Sequence, residues 1–248
     1  MGSIEDYRRF MKSMFGKVGI SDQSRGVGPP PLEVPYDADA DLVPLPEVSR
    51  NAIVRPDIFE CISRRRSRRQ WTDEPLTLDQ VSFLLWATQG VTEVVGGGHA
   101  TMRIVPSGGA RHPFETYLVA NNVTGLDDKV YRYLPLAHRL LPLFEMNSRR
   151  REDLTRAMLG QQFAALAPVV FIWSCVPYRG EWRYTLAAHK TMLLDAGHMC
   201  QNLYLACEAI GAGTCAIGAY DQETLDTFLN LDGNDEFVVY AAPVGRPV

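Results

Sequence analysis

Cysteine and histidine are scarce in this sequence, five of each in 248 residues. The cysteines (Cys61, Cys175, Cys200, Cys207, Cys215) form no C-x-x-C pair, and four of them sit in apolar surroundings. That usage excludes a disulfide framework and reads as reduced core thiols. The histidines (His99, His112, His138, His189, His198) make no ligand spacing with them and no H-E-x-x-H, so no metal site is expected. No run nears the roughly 18 apolar residues of a membrane span. The opening MGSIEDYRRFMKSMF lacks the apolar core of a signal peptide, which predicts a soluble, cytoplasmic protein. Charge excess is small as well: a net charge of −4 and a pI near 5.8 argue against a general affinity for nucleic acid or anionic membrane. Also missing are G-x-G-x-x-G after a strand, G-x-x-x-x-G-K-[ST] and G-x-S-x-G. Rossmann, P-loop and α/β-hydrolase readings therefore have no motif behind them, and no Ser, His and Asp spacing supports a triad.

What is there belongs to a folded chain. At 46% hydrophobic the sequence is too apolar for disorder, and its length fits one large domain or two small ones. The spacing predicts an amphipathic helix over residues 5–15, with Tyr7, Phe10, Met11, Met14 and Phe15 on its apolar side. Residues 16–50 hold Pro29, Pro30, Pro31, Pro35, Pro44 and Pro46; proline fixes φ and lacks a donor, so this stretch should run extended and wrap over a surface. Residues 1–56 are thus read as a helix plus a Pro-rich wrapping extension, and 57–248 as the compact domain. Within the latter, helices are expected at 58–65, after the capping box Thr77–Gln80, at 149–159, 161–166 and 221–229. Strands are expected at 115–121, 129–134, 140–145, 168–176 and 237–245, the run PVVFIWSCV being a buried central one. Residues 96–100 (GGGHA) read as a loop. Trp182 to Ile210 carries apolar residues at helical spacing without proline, predicting one helix of roughly 40 Å, a core axis or a subunit interface. Helices and strands alternate without regular βαβ units, so the class is α+β.

Three constellations could do chemistry. In Arg65-Arg66-Ser67-Arg68-Arg69, an extended chain puts Arg65, Ser67 and Arg69 on one side and Arg66 and Arg68 on the other. Two guanidinium groups flanking a hydroxyl suit a dianionic phosphate through charge-assisted hydrogen bonds; a basic surface run contacting nucleic acid is the alternative. In Pro106-Ser107-Gly108-Gly109, paired glycines let backbone approach a flat or phosphate-bearing ligand, or simply turn the chain. The small residues from Gly211 to Ala219 would expose backbone N–H groups to a bound ring.

Taken in order, RRSRRQW (65–71), LLWATQG (84–90), RIVPSGGARHPFETYLV (103–119), VYRYLPLAHRL (130–140), GQQFAALAPVVF (160–171), LLDAGHMCQNLYLACEAIGAGTCAIGAY (193–220) and PVGRP (243–247) resemble the FMN-dependent nitroreductase superfamily, and its SagB-type dehydrogenase branch in particular. The resemblance covers roughly residues 57–248. It implies a nitroreductase-like fold: a mostly antiparallel central sheet flanked by helices, with a long helix in the core or interface. It also implies a homodimer with two FMN sites, each built from both chains, and NAD(P)H as electron donor. By position it implies cofactor contacts from Arg65, Arg66, Ser67 and Arg69, an approach by Pro106, Ser107, Gly108 and Gly109 from the partner chain, and an edge formed by Gln161 and Ile217. The backbone N–H of Gly218 would face flavin N5, the atom that accepts hydride. The chain has Ala110 where the family's P-S-S-x-N carries Asn, and Arg246 is the only candidate for the family's C-terminal Lys-x-Arg. Arg183-Tyr184 stands where azoline oxidases of this branch have Lys-Tyr, and arginine is a poor base. The activity implied is hydride transfer to a small quinone, nitroarene or enone, with oxidation of a peptide azoline as the alternative and Tyr184 as a further candidate.

Overall fold

The structure, a computed structural model, describes residues 2–248. Its helices are α1 (Ile4–Phe10), α2 (Ile58–Arg64), α3 (Leu78–Gln89), α4 (Ser148–Ala157), α5 (Gln162–Ala165), α6 (Tyr178–Tyr184), α7 (Ala188–Ala209) and α8 (Gln222–Phe228). Its strands are β1 (Val43–Pro44), β2 (Leu76–Thr77), β3 (Val91–Val95), β4 (Ala100–Arg103), β5 (Phe114–Ala120), β6 (Val123–Thr124), β7 (Lys129–Leu134), β8 (Arg139–Glu145), β9 (Val169–Cys175), β10 (Gly213–Thr214) and β11 (Phe237–Gly245). Seven of them form one antiparallel sheet in the order β1-β8-β7-β5-β9-β11-β10.

The period of two along the central strands divides the interior. Phe171 and Trp173 of β9, with Phe114 and Leu118 of β5, pack against α3 and α7. Val170, Ile172, Tyr117 and Val119 point the other way, into the core under α4, α5 and α8. Helices cover both faces, which is why β9 is apolar at nearly every position and buried throughout.

Local chemistry sets the ends. Thr77 Oγ1 accepts from Gln80 N while Gln80 Oε1 accepts from Thr77 N, the reciprocal cap that opens α3. Gly90 closes it at φ −54°, so the need is for room and not for left-handed backbone: a Cβ there would lie 2.7 Å from Trp86 O. The long helical expectation requires a correction. Helical residues run from Tyr178 to Ala209, but Thr185 (φ 47°, ψ −129°) breaks them, leaving α7 with 22 residues and a length of about 33 Å. Helix α1 also stops earlier than expected, at Phe10, and has no buried residue. The stretch read as a loop at 96–100 is the turn of the β3–β4 hairpin, with Gly96, Gly97 and Gly98 all at positive φ.

The Pro-rich segment lies along β5, β7 and α6. Short of donors, it is fastened largely by its carbonyls: Trp182 Nε1 donates to Val27 O, Arg179 Nε to Pro31 O and an Arg132 Nη to Val34 O, at 2.8–3.0 Å. Val34 N returns a bond to Glu115, whose carboxylate is paired with buried Arg179. Val43–Pro44 adds an edge strand to the sheet.

Candidate functional site

Two groups of candidate residues sit at different stations along α7. The first begins where α2 ends. Arg65 leaves the helix with ψ 122°, and the extended chain that follows bridges β10, with Ser67 paired to Thr214 and Arg68 N donating to Thr214 O. Side chains then alternate. Ser67 Oγ lies 2.9 Å from Tyr204 OH, and the Arg65 guanidinium sits 5.3 Å over the Tyr204 ring. On the other side Arg64, Arg66 and Arg68 line a cavity of 510 Å³ together with Arg55, Gly211 and Pro247. Glu208, its one acidic side chain, is engaged by Arg55 at 3.3 Å. Arg68 Nε is buried without a partner. Arg64, Arg66 and Arg68 thus bring guanidinium groups into the cavity that are paired with no acidic side chain among the described residues. Gly213 is required here, because a Cβ would meet Arg68 Cγ at 2.6 Å. Arg69 is exposed. Arg246 Nε lies 2.9 Å from Glu74 Oε1, which leaves its two Nη groups outside that pair.

Tyr204 joins this strand to the segment after β10. Its hydroxyl accepts from Ala216 N at 2.8 Å while meeting Ser67. Ile217 exchanges backbone bonds with Ala241, and Gln161 Nε2 donates to Ala219 O at 2.8 Å. Between them Gly218 is exposed, with open space where a Cβ would be, and its N–H meets no acceptor among the described residues. An exposed backbone donor without a protein acceptor is open to water or to a ligand.

The second group is the turn after β4. Asp195 on α7 accepts from Ser107 Oγ at 2.7 Å and from Gly108 N at 2.9 Å, and Ser107 Oγ accepts from His112 N. Ser107 is thereby a tether and not a nucleophile, and His112 meets it through its backbone N–H. Burial holds the Asp195 carboxyl above the usual range, against the pull of its two donors. Gly109 and Ala110 are left-handed, at φ 64° and 55°. A Cβ on Gly109 would come within 2.5 Å of Tyr184 OH. Tyr184 is aimed there by the break at Thr185, whose Oγ1 is buried without a partner. Pro106 precedes this turn.

Asp195 and Tyr204 are nine residues apart on α7, about 14 Å along the axis. One chain thus brings Arg65, Ser67, Gln161, Ile217 and Gly218 together, and keeps Ser107–Gly109 and Tyr184 at a different station. Tyr204 and Asp195 went unnoticed in the sequence. Their only signal there was a polar group on a helix whose neighbours are apolar.

The sequence profile of the Nitroreductase family matches residues 62–246. A protein of Methanocaldococcus jannaschii named as a nitroreductase is 32% identical over 198 residues, covering 78% of this chain and 95% of that protein. The trifolitoxin-processing protein TfxB of Rhizobium leguminosarum bv. trifolii is 30% identical over 178 residues, covering 69% of this chain but 48% of TfxB. Among solved structures, one of a Ralstonia eutropha protein named as a nitroreductase aligns with a TM-score of 0.68 at 25% identity, covering 89% of this chain and 94% of that one. The Escherichia coli microcin synthetase McbBCD complex, with truncated pro-MccB17 bound, shares the fold at a TM-score of 0.63 and 18% identity, covering 99% of this chain and 92% of that one.

Proposed function

Because this chain belongs to the nitroreductase family, and so is an oxidoreductase, we propose that it is an FMN-dependent enzyme. In this reading it carries hydride between NAD(P)H and a small electron-poor acceptor, a quinone, nitroarene or activated enone. The observation that carries the reading is the free N–H of Gly218, tied through Ala216 and Tyr204 to Ser67 on the arginine strand. FMN joins a phosphate dianion to a flat ring, and these residues fit both parts: the guanidinium groups of Arg65 and exposed Arg69 beside Ser67 for the first, the exposed Gly218 N–H for the second. When bound, FMN supplies the ring that takes up hydride and passes it on.

The chain's own residues position and polarise. Arg65, Ser67 and Arg69 would hold the phosphate and ribityl chain, while Arg66 faces the cavity on the other side of the strand, and Gln161 and Ile217 fix the loop that carries the Gly218 N–H. A flavin bound there would find in Gly218 a neutral hydrogen-bond donor that stabilises negative charge on its ring, with no acid–base side chain required at that point. Ser107–Gly109 and Tyr184 belong to the neighbouring half-site of a homodimer, each loop facing the site of the other chain. Tyr184 OH is the group placed to move a proton for the acceptor.

The test is the visible spectrum of the purified protein, followed by NAD(P)H without oxygen. A flavin spectrum that bleaches is expected, and Arg65→Ala with Arg69→Ala should lose the flavin while keeping the fold. Colourless protein that FMN cannot reconstitute, and that binds DNA in a salt-sensitive way, would overturn the reading in favour of a nucleic-acid module. A second reading, oxidation of a peptide azoline, draws on the likeness to TfxB, named for trifolitoxin processing. Turnover of an azoline peptide without nicotinamide would select it, although Arg183 beside Tyr184 makes a poor base.

A further inference from the structure

We propose that the groove between residues 10–15 and the start of α7 is a subsite for one aromatic ring bearing a carboxylate, an inference that rests on reading Ser107–Gly109 and Tyr184 as part of the active site. The groove encloses 170 Å³. A cavity of about 150 Å³ lined by apolar side chains admits benzene, so the groove has room for a single ring.

Three observations define the occupant. The walls are apolar, with Phe10, Met14 and Phe15 facing Leu186 and Leu194. Helix α1 buries nothing, and Phe15 and Leu194 remain 50% and 56% exposed, so the groove offers apolar surface that the chain itself does not cover. At its rim stand Lys12 and Lys190, and no carboxylate lines it, so its charge complements an anion.

The groove also touches the turn assigned to the active site. Thr191 lines it and packs on Gly108 so closely that a Cβ there would lie 2.3 Å from Thr191 Cγ2. Phe15 meets the Tyr184 ring edge-on, with centroids 5.5 Å apart and planes at 74°, and Tyr184 OH abuts Gly109. A ring seated in the groove therefore lies one side chain away from both glycines. The subsite selects aryl carboxylates among the electron-poor acceptors.

The test uses the full-length holoprotein with leucine methyl labels. Benzoate should shift the Leu186 and Leu194 methyl signals saturably, and Leu186→Trp, which fills the groove at an exposed position, should abolish the shift. Lys12→Gln with Lys190→Gln should weaken benzoate binding about fivefold, as expected for two solvent-exposed charge pairs. In turnover, 4-nitrobenzoate takes two electrons and one proton from NAD(P)H, as hydride, plus one proton from solvent, leaving the nitroso compound, oxidised nicotinamide and water. The double variant should raise its KM about fivefold at constant kcat, while KM for neutral nitrobenzene stays put. Unchanged benzoate binding in both variants overturns the subsite, as do methyl shifts that follow protein dilution and not benzoate, since the groove is then a contact between copies. Benzoate binding without any flavin or turnover leaves the groove standing and removes the flavin reading. Normal nitrobenzene turnover with no benzoate effect does the reverse.

Discussion

Arg65 and Arg66 are neighbours in sequence and face different surroundings, one stacked on Tyr204, the other turned into the 510 Å³ cavity. Extended backbone alone produces this, and it allowed the alternation to be read from the sequence. Asp195 could not be read that way. It lies in an apolar helical run, and its importance comes from Ser107 and Gly108, 88 and 87 residues earlier. Removing it leaves two donors unsatisfied, so Asp195→Ala should lower unfolding stability by about 1–3 kcal/mol, measured by urea titration. Asp195→Asn keeps an acceptor but no charge. Burial raises the folded carboxyl above its unfolded value, so the folded chain binds more protons across that interval. Stability from this group is full below the unfolded value and is lost as pH rises through the folded one. Glu33 and Glu236, also raised by burial, slope the same way, so the comparison is between proteins. The Asn variant should lose less stability than the parent as pH climbs from about 4; parallel curves would mean Asp195 is not the titrating group.

At the level of elements, the strands and caps were the legible part. Each central strand alternates or is continuously apolar, and Thr77–Gln80 announces its helix in four letters. The break at Thr185 was not legible, because the sequence offers neither Gly nor Pro there. Tertiary packing imposes it, holding a β-branched residue at φ 47° so that Tyr184 stands against Gly109. The β3–β4 hairpin was missed because three successive glycines signal a turn without showing that both flanks pair. If Thr185 is strained, Thr185→Gly should relieve it and remove a buried unpartnered hydroxyl. The gain exceeds the entropic cost of glycine by about 1 kcal/mol, seen as a higher thermal midpoint. A midpoint lowered as for an ordinary helix glycine would show that the break carries no strain. An unchanged flavin content would place the gain in the fold alone.

Across the whole molecule, the separation of the two groups along α7 is the main fact. Asp195 and Tyr204 stand about 14 Å apart along the helix, and in the proposed reading a site using Gly218 together with Ser107–Gly109 draws on two chains. The surface that could bring them together is visible beside the arginine strand: Ile58, Phe59 and Ile62 form one stripe of α2, all more than half exposed, with Phe59 at 77%. Burying a side chain of this size contributes about 1.5–3 kcal/mol, so the stripe is costly to leave in water and suited to a second copy of the chain. Phe59→Glu with Ile62→Glu should therefore do two things at once. Light scattering should report a single 27.7 kDa chain where the parent gives twice that mass, and the flavin absorbance should fall with the dimer, because each site loses the loop supplied by its partner. Coupling is the point of the experiment. A folded monomer that keeps its full flavin would show that the arginine strand and Gly218 bind it unaided, and the shared site would have to be given up. A dimer that persists with flavin bound would move the interface off α2 and leave the exposed leucines of α7, Leu193 among them, as the surface to test next.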